Sequence, residues 1–157
     1  MVAALLAPPA QAANSPHRLF SPVLPKLQRA KVPVYLPTWL PKLPHPIYPF
    51  ASLYQVKNVR GPGTTLHEYE VDLSVDKNAP CNACNAFFIM GSDGSVEITP
   101  QTHPVSLGGG RWGYVSIYQG TLGQQFQWYI GQYAYAMRCA CTDAQYARIA
   151  RSVVRVH

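Results

Sequence analysis

Residues 66–75 read LHEYEVDLSV, and apolar and polar side chains alternate along them. Successive side chains of a β-strand point to opposite faces of its sheet. One face collects apolar residues and a histidine: His67, Tyr69, Val71, Leu73 and Val75. The other face collects polar residues: Glu68, Glu70, Asp72 and Ser74. This alternation predicts a strand with one face on a core and one face towards polar surroundings.

Strand and turn signals continue on both sides of this strand. The segments with strand character are SLYQVKNV (52–59), AFFIM (86–90), SVEIT (95–99), HPVSL (103–107), RWGYVSIYQ (111–119), QQFQWYI (124–130) and YAYAMRCAC (133–141). Glycine-containing turns separate them, and the GGG turn before Arg111 is predicted to be a hairpin turn rather than a phosphate loop.

One amphipathic helix is predicted at residues 142–156, TDAQYARIARSVVRV. Thr142 and Gln145 have the spacing of a capping box at its start. Its apolar stripe is Tyr146, Ile149, Ala150, Val153 and Val154. Six to eight strands and one terminal helix predict an α+β fold, in which a single antiparallel sheet at residues 51–157 carries this helix on one face.

Residues 13–50 are predicted to form a proline-rich extended arm. Eleven of the fifteen prolines precede residue 50, and proline removes a backbone donor and fixes φ. A short helix with Ser21 as N-cap and Pro22 at its first position is expected, followed by an edge strand in PVYLP, residues 33–37. The arm carries apolar residues that predict packing over its own domain: Val34, Leu36, Trp39, Leu40, Leu43, Ile47 and Phe50. The alternative is docking on another subunit.

Residues 1–12 resemble a truncated or vestigial signal peptide, with an apolar run and an A-x-A site at Ala10–Ala12. With the cysteines, this site predicts an extracytoplasmic protein, and the alternative is a disordered tail of a cytosolic protein. No later apolar run approaches the roughly 20 residues that a membrane span needs. The net charge of +6 favours anionic partners, but the sequence shows neither a nucleic-acid-binding motif nor a basic cleft.

Four cysteines occur as C-x2-C at Cys81 and Cys84 and as C-x-C at Cys139 and Cys141. In an exported protein this even count predicts two disulfides. A Cys139–Cys141 bridge within an extended strand would be strained, so cross-links from the 81–84 loop to residues 139–141 are favoured. The alternative is a Cys81–Cys84 bridge, with the other two cysteines free or bonded elsewhere. A four-thiolate metal site and a redox pair are the competing interpretations.

The carboxylates of residues 68, 70 and 72 stand about 6–7 Å apart if they alternate along a strand. That separation suits a hydrolytic pair or part of a calcium site. The commoner case is a cross-paired polar face, here neutralised by Lys57 or Arg60. His67, on the apolar face, is predicted to be a satisfied core histidine rather than a base.

Aromatic side chains recur on three consecutive strands: Trp112, Tyr114, Tyr118, Phe126, Trp128, Tyr133 and Tyr135. They predict either the core under the helix, which is favoured, or an exposed platform for sugars or apolar chains. A basic stripe is expected on the helix. This basic stripe and the aromatic residues of the arm are predicted to bind a partner. The candidate residues are Tyr35, Trp39, Tyr48, Arg148, Arg151 and Arg155.

The segments VPVYLPTWLP, YEVDLSVDKNAPCNACNAFFIMG, VSLGGGRWGYV, FQWYIGQYAYAM and ARIARSVV occur in this order. In that order they resemble a group of small uncharacterised bacterial secreted proteins and, more remotely, the extracytoplasmic domains of sigma-factor regulators. The resemblance covers residues 32–154 and implies a fold and an extracytoplasmic location, without an enzymatic activity. The sequence departs from those proteins at its second cysteine pair. In them this pair usually lies just before the strand that contains the tryptophan, whereas here Cys139 and Cys141 follow the hairpin of FQWYIGQYAYAM.

These features predict a non-catalytic extracytoplasmic binding or accessory domain without a cofactor, for example a subunit of a larger cell-envelope complex. Its expected partner is a protein, bound through the proline-rich arm or the basic helix face. The first alternative is a small hydrolase that uses the acidic strand face. The second is a four-thiolate metal or redox protein.

Overall fold

The computed structural model of the chain describes residues 15–58, 61–78, 85–94, 101–117 and 124–157. A 3₁₀ helix at Arg18–Val23 leads into the short helix α1 at Leu24–Leu27. The strands are β1 (Tyr35–Pro37), β2 (Tyr48–Lys57), β3 (Thr65–Ser74), β4 (Asn85–Ser92), β5 (Gln101–Gly108), β6 (Arg111–Ile117), β7 (Gln124–Ile130) and β8 (Tyr133–Cys139). Helix α2 at Asp143–Arg151 and strand β9 at Val153–Arg155 follow.

Seven strands form one antiparallel sheet in the order β2-β3-β4-β8-β7-β6-β5. The sheet consists of two meanders, β2-β3-β4 and β5-β6-β7-β8, which meet where β4 pairs with β8. The predicted α+β fold with a single antiparallel sheet and a C-terminal helix is therefore confirmed. The glycines before β6 form the predicted hairpin turn, since Gly108, Gly109 and Gly110 all have positive φ.

A second layer covers one face of this sheet and encloses the core. It contains the 3₁₀ helix, α1, the β1–β9 pair and α2, and we call residues 15–47 and 142–157 the arm–helix layer. The core joins buried residues of the layer, such as Phe20, Leu36 and Ile149, to buried residues of the sheet, such as Val71 and Met137. The core side of β3 is the apolar face that the sequence predicts.

The arm packs on its own domain. β1, the predicted edge strand, pairs with β9, and Val34 and Leu36 are fully buried. The Tyr69 hydroxyl of the sheet donates to Tyr35 O at 2.9 Å and accepts from Tyr35 N at 3.2 Å. The Tyr135 hydroxyl also reaches the arm and donates to Pro33 O at 3.1 Å. These bonds fix the arm across the middle of the sheet.

Both predicted helices differ from the observed ones. The short N-terminal helix begins after His17, whose Nδ1 accepts from Leu19 N, so Ser21 lies inside the 3₁₀ helix and is not its N-cap. The C-terminal helix has the predicted capping box, but it ends at Arg151. Val153 and Val154 form β9 instead, because β-branched residues favour strands and β1 offers an edge with which they can pair.

β2 begins at Tyr48, so the last residues of the segment 13–50 are part of the sheet. Residues 1–12 and the predicted strand 95–99 lie outside the described residues. Within the described parts of the chain, no helix is long and apolar enough to cross a lipid bilayer.

Two glycines admit aromatic rings onto the core face of the sheet. A Cβ atom on Gly113 would collide with the Phe126 ring. A Cβ atom on Gly91 would collide with the rings of Tyr69 and Tyr135. Because real Cβ atoms do not approach so closely, these rings need glycine at both positions.

Candidate functional site

Charges are unevenly distributed between the two layers, a charge separation in which the acidic residues concentrate in the sheet while basic residues occur in both layers. The arm–helix layer carries eight exposed Lys or Arg residues: Arg18, Lys26, Arg29, Lys31, Lys42, Arg148, Arg151 and Arg155. Its one acidic side chain, Asp143, accepts a bond from His103 Nε2 of β5 at 2.7 Å. The described part of residues 48–141 holds the other acidic side chains: Glu68, Glu70, Asp72, Asp76 and Asp93. The outer surface of the layer is therefore strongly basic.

An arginine of α2 and a tryptophan of the arm are in contact in this layer. The Arg148 guanidinium lies 3.9 Å from the centroid of the Trp39 ring, a cation–π distance. The residues around Trp39 are bonded to the end of α2, since Thr38 N donates to Ser152 O at 3.1 Å. The fold thus brings the arm and the predicted basic stripe into one surface.

The other candidate partner-binding residues divide between the two layers. Tyr35 lies opposite Arg155 in the β1–β9 pair, and its ring packs edge-on against Tyr135 at 5.5 Å. Arg155 is therefore on a strand rather than on the helix, which corrects the predicted stripe. Arg151 remains on α2, where its Nε donates to Ala147 O. Tyr48 lies in β2 opposite Ser74 and is not part of the layer.

A surface pocket of about 250 Å³ opens in this layer between the 3₁₀ helix and residues 40–45. Its polar lining is entirely basic or imidazole: His17, Arg18, Lys42 and His45. Its apolar lining includes Leu19, Leu40 and Leu43, which also pack on the core.

His17, which lines the pocket, is held in place by two hydrogen bonds. Its backbone N–H donates to Pro37 O at 2.8 Å, and its Nδ1 accepts from Leu19 N at 3.3 Å. Burial lowers the pKa of His17 below its ordinary value, and the charge of Arg18 lowers it further. His17 is therefore neutral at pH 7, and Arg18 and Lys42 supply the permanent positive charge.

The acidic stripe on β3 is hydrogen-bonded to the neighbouring strands. Glu68 accepts from Ser92 Oγ at 3.2 Å, and Asp72 accepts from the Asn85 side-chain amide. Glu70 is hydrogen-bonded to Tyr54 of β2. The polar face of β3 is therefore paired with the neighbouring strands, as expected. Its partners differ from the expected Lys57 and Arg60. Lys57 lies opposite Thr65, on the other face of β2 and β3, and Arg60 is outside the described residues.

Burial raises the pKa of two carboxyl groups of this stripe, Glu70 and Asp72. Desolvation raises the pKa of Glu70, and the charges of Asp72 and Glu68 raise it further, against Tyr54 and Arg138. Desolvation likewise raises the pKa of Asp72, while Arg138 and Asn85 oppose the rise. The stabilising cation is therefore Arg138 of β8, whose guanidinium also lies 4.2 Å from the Phe88 ring centroid.

His67 is hydrogen-bonded to Asp93 rather than buried in the core. Its Nδ1 lies 2.9 Å from Asp93 Oδ2, and its backbone N–H donates to Asp93 Oδ1 at 2.9 Å. The His67 side chain is 26% exposed, so the prediction of a core histidine is wrong, although its bonding is satisfied as expected. The ring lies beside a pocket of about 280 Å³ that Arg29, Lys31 and Glu68 also line.

Cys139 and Cys141 are bonded to each other, with Cα atoms 5.2 Å apart. The expected cross-links from these two residues to the 81–84 loop are therefore wrong. The pairing is possible because β8 ends at Cys139 and the chain bends at Ala140, so Cys141 has left the extended strand. Bonded sulfur atoms do not act as thiolate ligands. Cys81 and Cys84 lie outside the described residues.

The aromatic residues of β6, β7 and β8 divide between the two faces of the sheet. Phe126, Trp128 and Tyr135 are buried under the arm–helix layer, as expected for a core. Trp112 is on the opposite face and is 51% exposed, and Tyr129 nearby is 44% exposed, so Trp112 does not belong to the core under the helix. The ring nitrogen of Trp128 is buried, and no described residue accepts a hydrogen bond from it. Tyr118 is outside the described residues.

Among the side chains that the structure describes, no group of three or more His, Cys, Asp or Glu residues is arranged to hold a metal ion. No protein-family model matches the chain, and no curated protein or solved structure matches it significantly. A fold alone does not assign an activity, so the case for a function depends on the side chains of this chain.

Proposed function

We propose that the chain is a non-catalytic extracytoplasmic binding or accessory domain, and that it docks through the outer surface of its arm–helix layer as a subunit of a larger cell-envelope complex. The observation that carries the proposal is the charge separation. Eight exposed Lys and Arg residues share this surface with one acidic side chain, which is already bonded to His103.

The physical reason is that isolated exposed cations contribute little to folding. Even an exposed ion pair contributes only about 0–1 kcal/mol to stability. No Lys or Arg of the described layer lies within ion-pair distance of a described Asp or Glu side chain. A surface whose charges are mostly positive instead attracts a negatively charged partner and orients it as the two proteins approach.

The apolar residues of the arm support this assignment of roles. Val34, Leu36 and Leu40 are buried in the domain's own core, so they are not available to another subunit. The arm therefore contributes to docking through its exposed charges and through Trp39 beneath Arg148.

An extracytoplasmic location is supported by the Cys139–Cys141 disulfide, because such bonds persist in oxidising compartments and are rare in the cytosol. The apolar run and the A-x-A site at the N-terminus support the same location.

The hydrolase alternative is favoured by one observation, the raised pKa of Glu70, since catalytic acids have raised pKa values. Structural bonding explains Glu70 more simply, because its neighbours Glu68 and Asp72 each have a cross-strand partner. The four-thiolate alternative requires Cys139 and Cys141 as thiolates, whereas the structure has them bonded to each other.

Site-specific photo-cross-linking in cells of the native source tests the docking role. A photoreactive residue replaces Lys26 or Arg151 on the layer, or Trp112 or Tyr129 on the opposite sheet face as matched exposed controls. We expect the two layer positions to yield one defined cross-linked species and the controls to yield none. Cross-links confined to the control positions would contradict the proposal.

A further inference from the structure

The basic pocket of the arm–helix layer has two kinds of wall. The polar lining consists of Arg18 and Lys42, both exposed, together with the imidazoles of His17 and His45. The apolar lining consists mainly of leucine side chains that also pack on the core. Among the residues that the structure describes, none that lines the pocket is acidic. A complementary ligand therefore carries negative charge and an apolar group within a short distance of each other.

The pocket is continuous with the rest of the basic surface. Leu40 and Lys42 of the pocket follow Trp39, on whose ring the Arg148 guanidinium lies. A ligand that leaves the pocket along residues 39–42 therefore next meets Arg148. An extended acidic chain fits this course better than a single small anion does.

We propose that this pocket receives an acidic segment of a partner protein, in which carboxylates contact Arg18 and Lys42 and an apolar side chain contacts Leu19, Leu40 and Leu43. The inference rests on the docking role proposed above and names the chemistry of the partner. Charge complementarity supplies the orientation, and burial of the apolar side chain against leucine supplies affinity.

Two other polyanions match the surface less well. Peripheral binding to anionic lipid is strengthened by exposed apolar anchors. Among the described residues the large exposed apolar side chains are all outside this layer: Tyr54, Val56, Val75, Trp112 and Tyr129. A nucleic-acid backbone would satisfy the cations, but its phosphates would leave the leucine wall without an apolar partner.

Fluorescence anisotropy with the full chain tests this pocket. The probe is a fluorescein-labelled synthetic peptide that repeats Glu-Leu-Gly, measured at about 0.15 M salt so that distant charges are screened. Two comparison peptides repeat Gln-Leu-Gly, without charge, and Glu-Ser-Gly, without the apolar group. We expect saturable binding of the first peptide and binding at least about tenfold weaker for both comparison peptides.

The matched variants carry the same loss of charge in different places. The double variant Arg18→Gln/Lys42→Gln removes two cations from the pocket and is expected to weaken binding at least about tenfold. The control Lys57→Gln/Lys77→Gln removes two exposed cations from the sheet and its loops, and we expect a change within about twofold. Equal losses in both variants would show general electrostatic attraction and overturn the proposal.

Vesicles that contain phosphatidylglycerol, and a duplex DNA oligonucleotide, are measured in parallel. If either binds more tightly than the peptide and loses affinity in Arg18→Gln/Lys42→Gln, the pocket belongs to that class of ligand and the proposal is overturned. Absence of saturable peptide binding also overturns it. If the peptide fails while cross-links still map to the layer, the docking role stands and the chemistry assigned to the pocket is wrong.

Discussion

At the scale of single residues, Tyr69 links the sheet to the arm through one hydroxyl group. Burial raises the pKa of Tyr69 well above its ordinary value, so the hydroxyl stays protonated and donates to Tyr35 O. Removing it in Tyr69→Phe leaves the backbone N–H and C=O of Tyr35 without this partner. We expect a loss of about 1–3 kcal/mol in the free energy of unfolding, measured by denaturant titration.

The control for this substitution is Tyr129→Phe, since the Tyr129 side chain is 44% exposed. Its hydroxyl is accessible to water, and we expect a change within about 0.5 kcal/mol. Equal effects of the two substitutions would show that the Tyr69 hydroxyl does not stabilise the docked arm.

Glu70 gives a pH dependence whose sign follows from its environment. Desolvation raises its pKa in the folded state, so the folded protein binds this proton more tightly than the unfolded chain. The resulting stabilisation is complete below the ordinary carboxyl pKa of about 4 and is lost as the pH rises through the higher folded value. We therefore expect Glu70→Gln to raise the melting temperature at pH 7, and this gain to disappear near pH 3.

The comparison for Glu70→Gln is Asp93→Asn, because the Asp93 carboxylate accepts from the backbone of His67 and pairs with its ring. That variant is expected to lose stability at pH 7. A Glu70→Gln variant that is less stable than the parent at neutral pH would contradict the desolvation argument.

The sequence predicts the faces of β3 correctly but not the partners of its side chains. Alternation is a local property, and it places Tyr69 and Val71 on the core side. The partner of Asp72 is Asn85, and its nearby cation is Arg138. Those contacts depend on the strand order, in which β8 is inserted beside β4, and no local pattern encodes that order.

At the scale of secondary-structure elements, α2 is nine residues long and depends on its ends. Thr142 Oγ1 accepts from Gln145 N at 3.3 Å, and Gln145 Oε1 accepts from Thr142 N at 2.9 Å. We expect Thr142→Ala to lower the free energy of unfolding by about 0.5–2 kcal/mol, because backbone N–H groups at the helix start lose their acceptor. Thr142→Ser keeps the hydroxyl and should retain most of the stability in the same denaturant titration.

The start of α2 is predictable from the sequence and its end is not. A capping box is a local signal four residues long. The apolar stripe continues through Val153 and Val154, so helical periodicity alone extends the helix. Pairing of these residues with β1, more than a hundred positions earlier, ends the helix at Arg151. Long-range strand pairing therefore overrides the helical pattern.

At the scale of the whole molecule, the basic pocket cannot be predicted from the sequence. His17 and Arg18 lie more than twenty residues from Lys42 and His45, and the intervening prolines predict only extended backbone. The pocket forms because the arm crosses the sheet and returns beside its own start, where His17 N–H donates to Pro37 O. The charge separation has the same origin, since it requires arm and helix on one face.

Because the arm shares the core of the sheet, we expect the two to unfold together. In a variant with Trp112 and Trp128 replaced by Phe, Trp39 is the only tryptophan, and its fluorescence reports on the arm. The surroundings of its ring change when the arm separates from Arg148. Leu36 and Val34 cannot leave the core without exposing the apolar side of the sheet. In this variant the denaturation midpoint from Trp39 fluorescence should therefore equal the midpoint from far-UV circular dichroism, as a two-state transition requires.

The matched variant that retains only Trp128 should give coincident midpoints as well. A Trp39 midpoint at lower denaturant, with the Trp128 midpoint unchanged, would show an arm that detaches first and is free to dock on another subunit.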